Sequence, residues 1–303
     1  MELSKKLKRT PRKKERKEPL ILKVEPYTYL IPAALIMGLF TFWPFFQTII
    51  RSLYLTDNLG RNALFVGFEN YIELFTSSSF YNSVLITVLF VIIVVVVGVV
   101  LGFCTALLCQ RTFPGIRFFS AAYALPMAVA SSGIALVFLV MLNQSIGIVN
   151  QMLGTNINWL ADPNYALLSI GVLTGWLNSG INFLYFSAGL AGIDRSLYES
   201  ASIDGANRWN KFRFVTIPSL KPITFFVVVT NVINAFQGFA QIKILTSGGP
   251  GESTNVIVYD IYRNAFMNYR YGYASAESIV LFIIVMILTI IMFKMSKGGR
   301  INA

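Results

Sequence analysis

The sequence predicts an all-α polytopic membrane protein of six spans, with a polar helix–turn–helix between the fourth and fifth. Three observations predict it. Apolar residues make up 55% of the 303 positions and charged residues only 13%, where a soluble domain carries about a quarter charged. The mean hydropathy is +0.63. The apolar residues also gather into runs of the length a bilayer core requires, about 20 residues in a helix, with the charges between them.

Residues 1–26 hold ten basic side chains: Lys5, Lys6, Lys8, Arg9, Arg12, Lys13, Lys14, Arg16, Lys17 and Lys23. A basic tail can bind nucleic acid. Directly before an apolar run it sets membrane orientation instead, so no nucleic-acid partner is expected. The apolar run lacks the small-residue cleavage site of a secretory signal. The six-span region is expected over 27–297, with the polar insert at 193–221 and a short tail at 298–303.

The spans are expected near 28–50, 83–109, 118–142, 165–192, 222–245 and 274–293. The second is rich in Val and Ile, which favour strands in water. At its length a strand would leave unpaired edges in lipid, whereas a helix satisfies its own backbone. Pro32, Pro44 and Pro126 mark kinks that membrane helices tolerate. Gly98 and Gly102 form a G-x-x-x-G, a weak signal of close helix packing.

Lys and Arg between the runs set the orientation. The side holding both termini collects 20 of the 25 basic residues, the other side only Arg51, Arg61, Lys243, Arg263 and Arg270. Both termini and the polar insert are therefore expected in the cytoplasm of a multi-pass protein of the cell membrane. Segments 52–82, 143–164 and 246–273 are expected outside, with "SSSF" and "GGPGEST" as turns.

The chain has no histidine and two cysteines, Cys104 and Cys109, on different sides of one helix. Neither a disulfide framework nor a metal site is indicated, and the usual proton shuttle is missing. Hydrolytic and redox enzymes are disfavoured, and no catalytic residue is assigned. There is no G-x-x-x-x-G-K-[ST] and no Gly-Lys dipeptide, so no nucleotide site is expected in this chain.

Polar residues inside spans point to a solute path or to contacts between helices. Asn231, Asn234, Gln237 and Gln241 follow at spacings of three, three and four, one stripe on a continuous helix. The fourth run adds Asn178, Ser179 and Asn182. Amides offer paired donors and acceptors suited to hydroxyl-rich solutes. Each single amide is open to both readings; the stripe as a whole favours a path. Lys243 either attracts an anionic group or snorkels to the interface. Glu277 is placed near the outer boundary.

The insert, "ESASIDGANRWNKFRFVTIPSLKP", reads physically as two short helices at the membrane surface. Asp194 caps the first, Asp204-Gly205 forms the turn, and Pro218 and Pro222 end the second. An ordinary interfacial loop would fit that description, with membrane lipid as its partner. The residues themselves resemble the cytoplasmic signature of permeases of ATP-binding-cassette importers, in its carbohydrate-uptake form. The pattern E-A-A, three residues, Gly, then I-x-L-P stands here as Glu199-Ser200-Ala201, Gly205 and Val215-Thr216-Ile217-Pro218. The fuller form also matches at Ile203, Asp204, Ala206, Trp209 and Phe212. Ser200 replaces the usual Ala. "FVGFENYIELF", "NWLADPNYAL", "LTSGGPGEST" and "GYASAESI" extend the resemblance along the chain, toward the maltose and glycerol-phosphate branch.

The resemblance implies a non-catalytic subunit of a binding-protein-dependent importer for a sugar, polyol or glycerol phosphate. It implies a second homologous permease, two cytoplasmic ATPase subunits that hold ATP and Mg, and an extracytoplasmic solute-binding protein. Coupling to the ATPase falls to Glu199, Ser200, Ala201, Asp204, Gly205, Ala206, Trp209 and Pro218. The alternative is a secondary transporter or channel, which would need intramembrane ionisable couplers or an inverted repeat; neither is evident.

Overall fold

The structure is a computed structural model that describes residues 20–110 and 114–298. Expectations placed on most of the basic tail, Arg111 and Arg300 lie outside the described residues. The chain divides into two compact units, 1–47 and 48–303.

Starting in the first unit, α1 (Leu20–Met37) widens into a π-turn over Gly38–Phe42 and continues into α2 (Trp43–Arg51), whose last residues belong to the second unit. Pro44 has no N–H for the bond back to residue 40, and the π-turn directly precedes it. Tyr29–Arg51 is long and apolar enough to cross a membrane.

After α2 the second unit holds an element the all-helical reading omits. β1 (Tyr54–Thr56) and β2 (Asn62–Phe65) form an antiparallel hairpin. The Asp57 carboxylate shapes its turn by accepting from the N–H groups of Leu59 and Arg61. Next come α3 (Glu69–Thr76) and α4 (Ser78–Cys109). "SSSF" is not a turn: Ser77 accepts from the Phe80 N–H and caps α4, and the other residues are helical.

The third apolar run is not one straight helix. α5 (Ile116–Ala124), a 3₁₀ turn at Leu125–Ala128 holding Pro126, and α6 (Ser131–Met141) meet at a bend of 102°. Val129 and Ala130 between them are extended, at ψ 139° and 131°. α7 (Ile148–Leu153) leads to α8 (Pro163–Ala191), which Asp162 caps. The insert holds α9 (Arg195–Ile203), α10 (Arg208–Lys211), a π-turn and α11 (Ile217–Ser219). Pro218 and Pro222 do not end the helix outright; the chain bends by 59° into α12 (Lys221–Phe236), both prolines lying in first turns. The fifth run also breaks, at Gln237–Phe239, before α13 (Ala240–Leu245). α14 (Ile257–Tyr262) and α15 (Tyr271–Gly298) complete the chain. Among the described residues four helices could span a membrane, or six if each bent pair is one span.

α4 and α8 run parallel and set the core. Built on the glycine backbones, a Cβ at Gly171 would lie 2.6 Å from Ile93, one at Gly175 2.7 Å from Val97, and one at Gly102 2.5 Å from the Asn182 Cβ. The G-x-x-x-G of α4 is thus a true contact face: glycines let the two backbones approach. Phe90, Val94, Ile170, Leu173, Phe236 and Ile242 are buried around this seam. A second cluster, Ala106, Phe183, Phe186, Leu220 and Val227, seats the insert end of the bundle.

Candidate functional site

The insert is built to present a tip. Asp194 accepts from the Ser196 N–H at 2.9 Å and starts α9; that bond holds its carboxyl below the ordinary range. At the other end Gly205 has φ +75°. The Ala206 N–H donates to the Ala201 carbonyl at 2.8 Å and the Gly205 N–H to that of Ser202 at 3.1 Å. This double bond pattern around a left-handed glycine closes the helix. Nothing lies within 4 Å of a Cβ built at Gly205, so its glycine answers to backbone conformation, not to space.

The tip is anchored from behind. Tyr198 Oη and Thr216 Oγ1 share a hydrogen bond at 2.9 Å, and Lys211 Nζ donates to Ser202 Oγ at 2.6 Å. The Phe212 ring lies 6.3 Å from that of Phe103 on α4, and Trp209 lies 5.6 Å from Phe212. Glu199, Ser200, Asp204, Trp209 and Pro218 are exposed, while Ala201 and Ala206 are half-buried. Glu199 has no ion pair among the described residues. Ile203 is 87% exposed beside the turn. Its signal in the sequence was an apolar side chain at the polar tip, and the residue assignments above leave it out.

The amides divide into two groups. Asn182 Nδ2 donates to Asn231 Oδ1 at 3.1 Å, and Asn231 Nδ2 returns the bond at 2.7 Å. Both are buried, and a Cβ at Gly98 would lie 3.2 Å from each amide. Asn182 and Asn231 therefore join α8 to α12 against α4. Half-buried Asn178 and exposed Asn234 line a cleft of about 190 Å³ whose wall that bonded pair also forms, together with Tyr185 and Thr230. The single stripe fails beyond this point, because α12 stops at Phe236. Gln237 is exposed past the helix end, and Gln241 is buried on α13.

Glu277 lies about two turns into α15, near the end where the sequence places it, but inside the packing. It is fully buried in α15, where Asn264 Nδ2 donates to its Oε2 at 3.2 Å. Nearby, buried Asp260 pairs with Arg263 at 2.6 Å, and Arg263 also binds Glu252 at 2.9 Å. Loop packing, not hydropathy, decides this burial. Lys243 Nζ sits 4.8 Å from the Tyr262 ring centre and 5.8 Å from that of Tyr259, so ring faces take the cation that either alternative had left open.

The family model described as "Binding-protein-dependent transport system inner membrane component" matches residues 116–297. The sn-glycerol-3-phosphate transport system permease protein UgpA of Agrobacterium fabrum is 34% identical over 276 residues, 90% of this chain and 94% of that protein. Its counterpart in Rhizobium meliloti is 33% identical over the same share of each chain. A chain of a bacterial ABC transporter involved in the import of the acidic polysaccharide alginate superposes with a TM-score of 0.81. It does so over 93% of this chain and 98% of its own, at 22% identity, a likeness of fold.

Proposed function

This chain belongs to the family of inner membrane components of binding-protein-dependent transport systems, and from that premise we propose that it forms half of the solute path of an ATP-driven importer. Its solute is a sugar, a polyol or a glycerol phosphate; sn-glycerol-3-phosphate is the one in the names of the relatives. The six apolar segments each cross the membrane, the bent pair α5–α6 counting as one span and α12 carrying the fifth, with both termini and the insert, α10 and α11 included, in the cytoplasm. A second permease completes the path, a solute-binding protein delivers from outside, and two ATPase subunits bind ATP and Mg and drive alternating access.

One observation carries the coupling role: exposed Glu199 of α9 has no ion pair among the described residues, and Ile203 points outward beside the turn that the left-handed Gly205 closes. A partner groove with a basic residue and an apolar pocket fits that tip. Asn178 and Asn234 meet the solute, because their amides have no hydrogen-bond partner among the described residues. Asn182 and Asn231 hold the helices that present them.

The test is Glu199→Lys. Sign reversal at a well-formed interfacial pair weakens docking by about 2–5 kcal/mol or more. The variant should reach the membrane and pair with the second permease, yet lose the ATPase in mild detergent. Its residual hydrolysis should ignore solute-loaded binding protein. Normal ATPase retention with normal stimulation would remove the insert from the coupling role.

A further inference from the structure

A second feature of the insert faces away from the tip. Between the end of α4 and the short helices lies a cavity of about 380 Å³, lined by Leu107, Gln110, Tyr198, Arg208, Lys211 and Phe212. Its lining holds two cations and no carboxylate. Neither Arg208 nor Lys211 has an ion pair among the described residues, and Lys211 donates only to the neutral Ser202 hydroxyl. Two cations without an ion pair among the described residues, beside the Gln110 amide, make a receptor for an oxyanion; the Tyr198 hydroxyl is shared with Thr216 Oγ1, which also lines the cavity.

The level of the cavity selects the oxyanion. Leu107 and Gln110 stand where the membrane-spanning stretch Ser78–Cys109 ends. Along the same short segment Trp209 is 63% and Phe214 68% exposed, and the Arg213 guanidinium lies 5.6 Å over the Phe214 ring. Exposed aromatics interleaved with basic residues are the chemistry of the headgroup layer. A ligand entering from that layer carries its phosphate at the end of acyl chains. Anionic lipids of the cytoplasmic leaflet are the ones that juxtamembrane basic residues attract.

We infer that the cavity between α4 and α10 is a binding site for the phosphate of an anionic phospholipid, held by Arg208 and Lys211. The lipid would wedge between a span and the coupling element, so its presence would fix the angle at which the tip meets the ATPase. This rests on the cytoplasmic placement of the insert proposed above, and a cysteine at Asn207 that labels from outside intact cells would sink that placement on its own.

The experiment uses the complex purified from membranes with its partner subunits, phosphatidylglycerol being the probe. Retained phosphatidylglycerol is counted by native mass spectrometry, before and after add-back to delipidated complex in phosphatidylcholine nanodiscs. Arg208→Gln with Lys211→Gln should lower retention on the order of tenfold or more. Arg208→Lys with Lys211→Arg should keep most of it, and Arg51→Gln with Arg61→Gln should leave it unchanged. Co-purification of the second permease certifies folding. Equal retention in the double Gln variant would overturn the site. Loss of the ATPase with lipid retention unchanged would give the cations to a carboxylate on that subunit instead. Displacement of the lipid by inorganic phosphate alone would assign the cavity to a soluble anion, overturning the lipid assignment.

Discussion

Asn231 and Asn234 lie one helical turn apart and answer to different physics. Both line the cleft, but the Asn231 amide is buried and bonded to Asn182, whereas the Asn234 side chain is exposed and has no hydrogen-bond partner among the described residues. Asn231→Leu strands the buried Asn182 amide, which costs about 1–3 kcal/mol, so thermal unfolding in detergent should fall. Asn234→Leu should leave unfolding unchanged and lower solute uptake. If the two variants behave alike in both assays, the division of the amides is wrong. Gly102 makes a sharper case. A Cβ there would meet the Asn182 Cβ at 2.5 Å, while one at Gly133 would meet nothing within 4 Å. Gly102→Val should destabilise by about 1–3 kcal/mol through overpacking, and Gly133→Ala should be silent, as read from melting temperatures. The sequence marked Gly98 and Gly102 as a motif but could not say which helix they touch, because that partner begins some 60 residues later.

Elements differ in how far local chemistry decides them. α9 was legible in full: Asp194 as cap, Asp204-Gly205 as stop, because caps and turns are formed by neighbours in the chain. α4 and α8 were legible as apolar runs of spanning length, and only their starts moved, to the capping Ser77 and Asp162. The break at Val129–Ala130 was legible only as a kink at Pro126, not as a bend of 102°, and the one at Gln237–Phe239 was hidden because Gln237 read as part of a polar stripe on a continuous helix. The burial of Glu277 depends on α14 and the loop before it, which no periodicity reports. Two predictions belong at this scale. Gly205→Val forces a β-branched side chain to φ +75° at about 1–2 kcal/mol, and should reduce ATPase co-purification more than Gly205→Asn does. Because the Asp194 carboxyl titrates below its unfolded value, its stabilisation of the α9 start is present above that unfolded value. It is lost as pH falls through the folded one. Amide exchange at Ser196 and Leu197 should therefore gain protection as pH rises through that window, after correction for intrinsic exchange. In Asp194→Asn, which caps without titrating, that dependence should vanish.

The second unit has two ends, and its topology can be checked directly. Ser78 and Gly251 lie at one end, Asn207 at the other, all exposed. The ion pairs of Arg263 with Glu252 and of Arg270 with Glu73 tie the loops of the first end together. Cysteines placed at Ser78 and Gly251 should label from outside intact cells, and one at Asn207 should not; the reverse pattern would invert the chain in the membrane. Between the ends, α8 runs unbroken from the cleft to the loop before α9, with α4 clasped along it. Mechanically that is a rod. α12 leaves the far side of the same insert through a 59° elbow. Asn182 rides on the rod and Asn231 on the arm beyond the elbow. On the proposed coupling, a push at the tip would reach Asn182 along a straight helix once past the Gly192–Asp194 loop, and Asn231 only after the elbow. The paired amides would then take up the difference, a shear joint at the wall of the cleft.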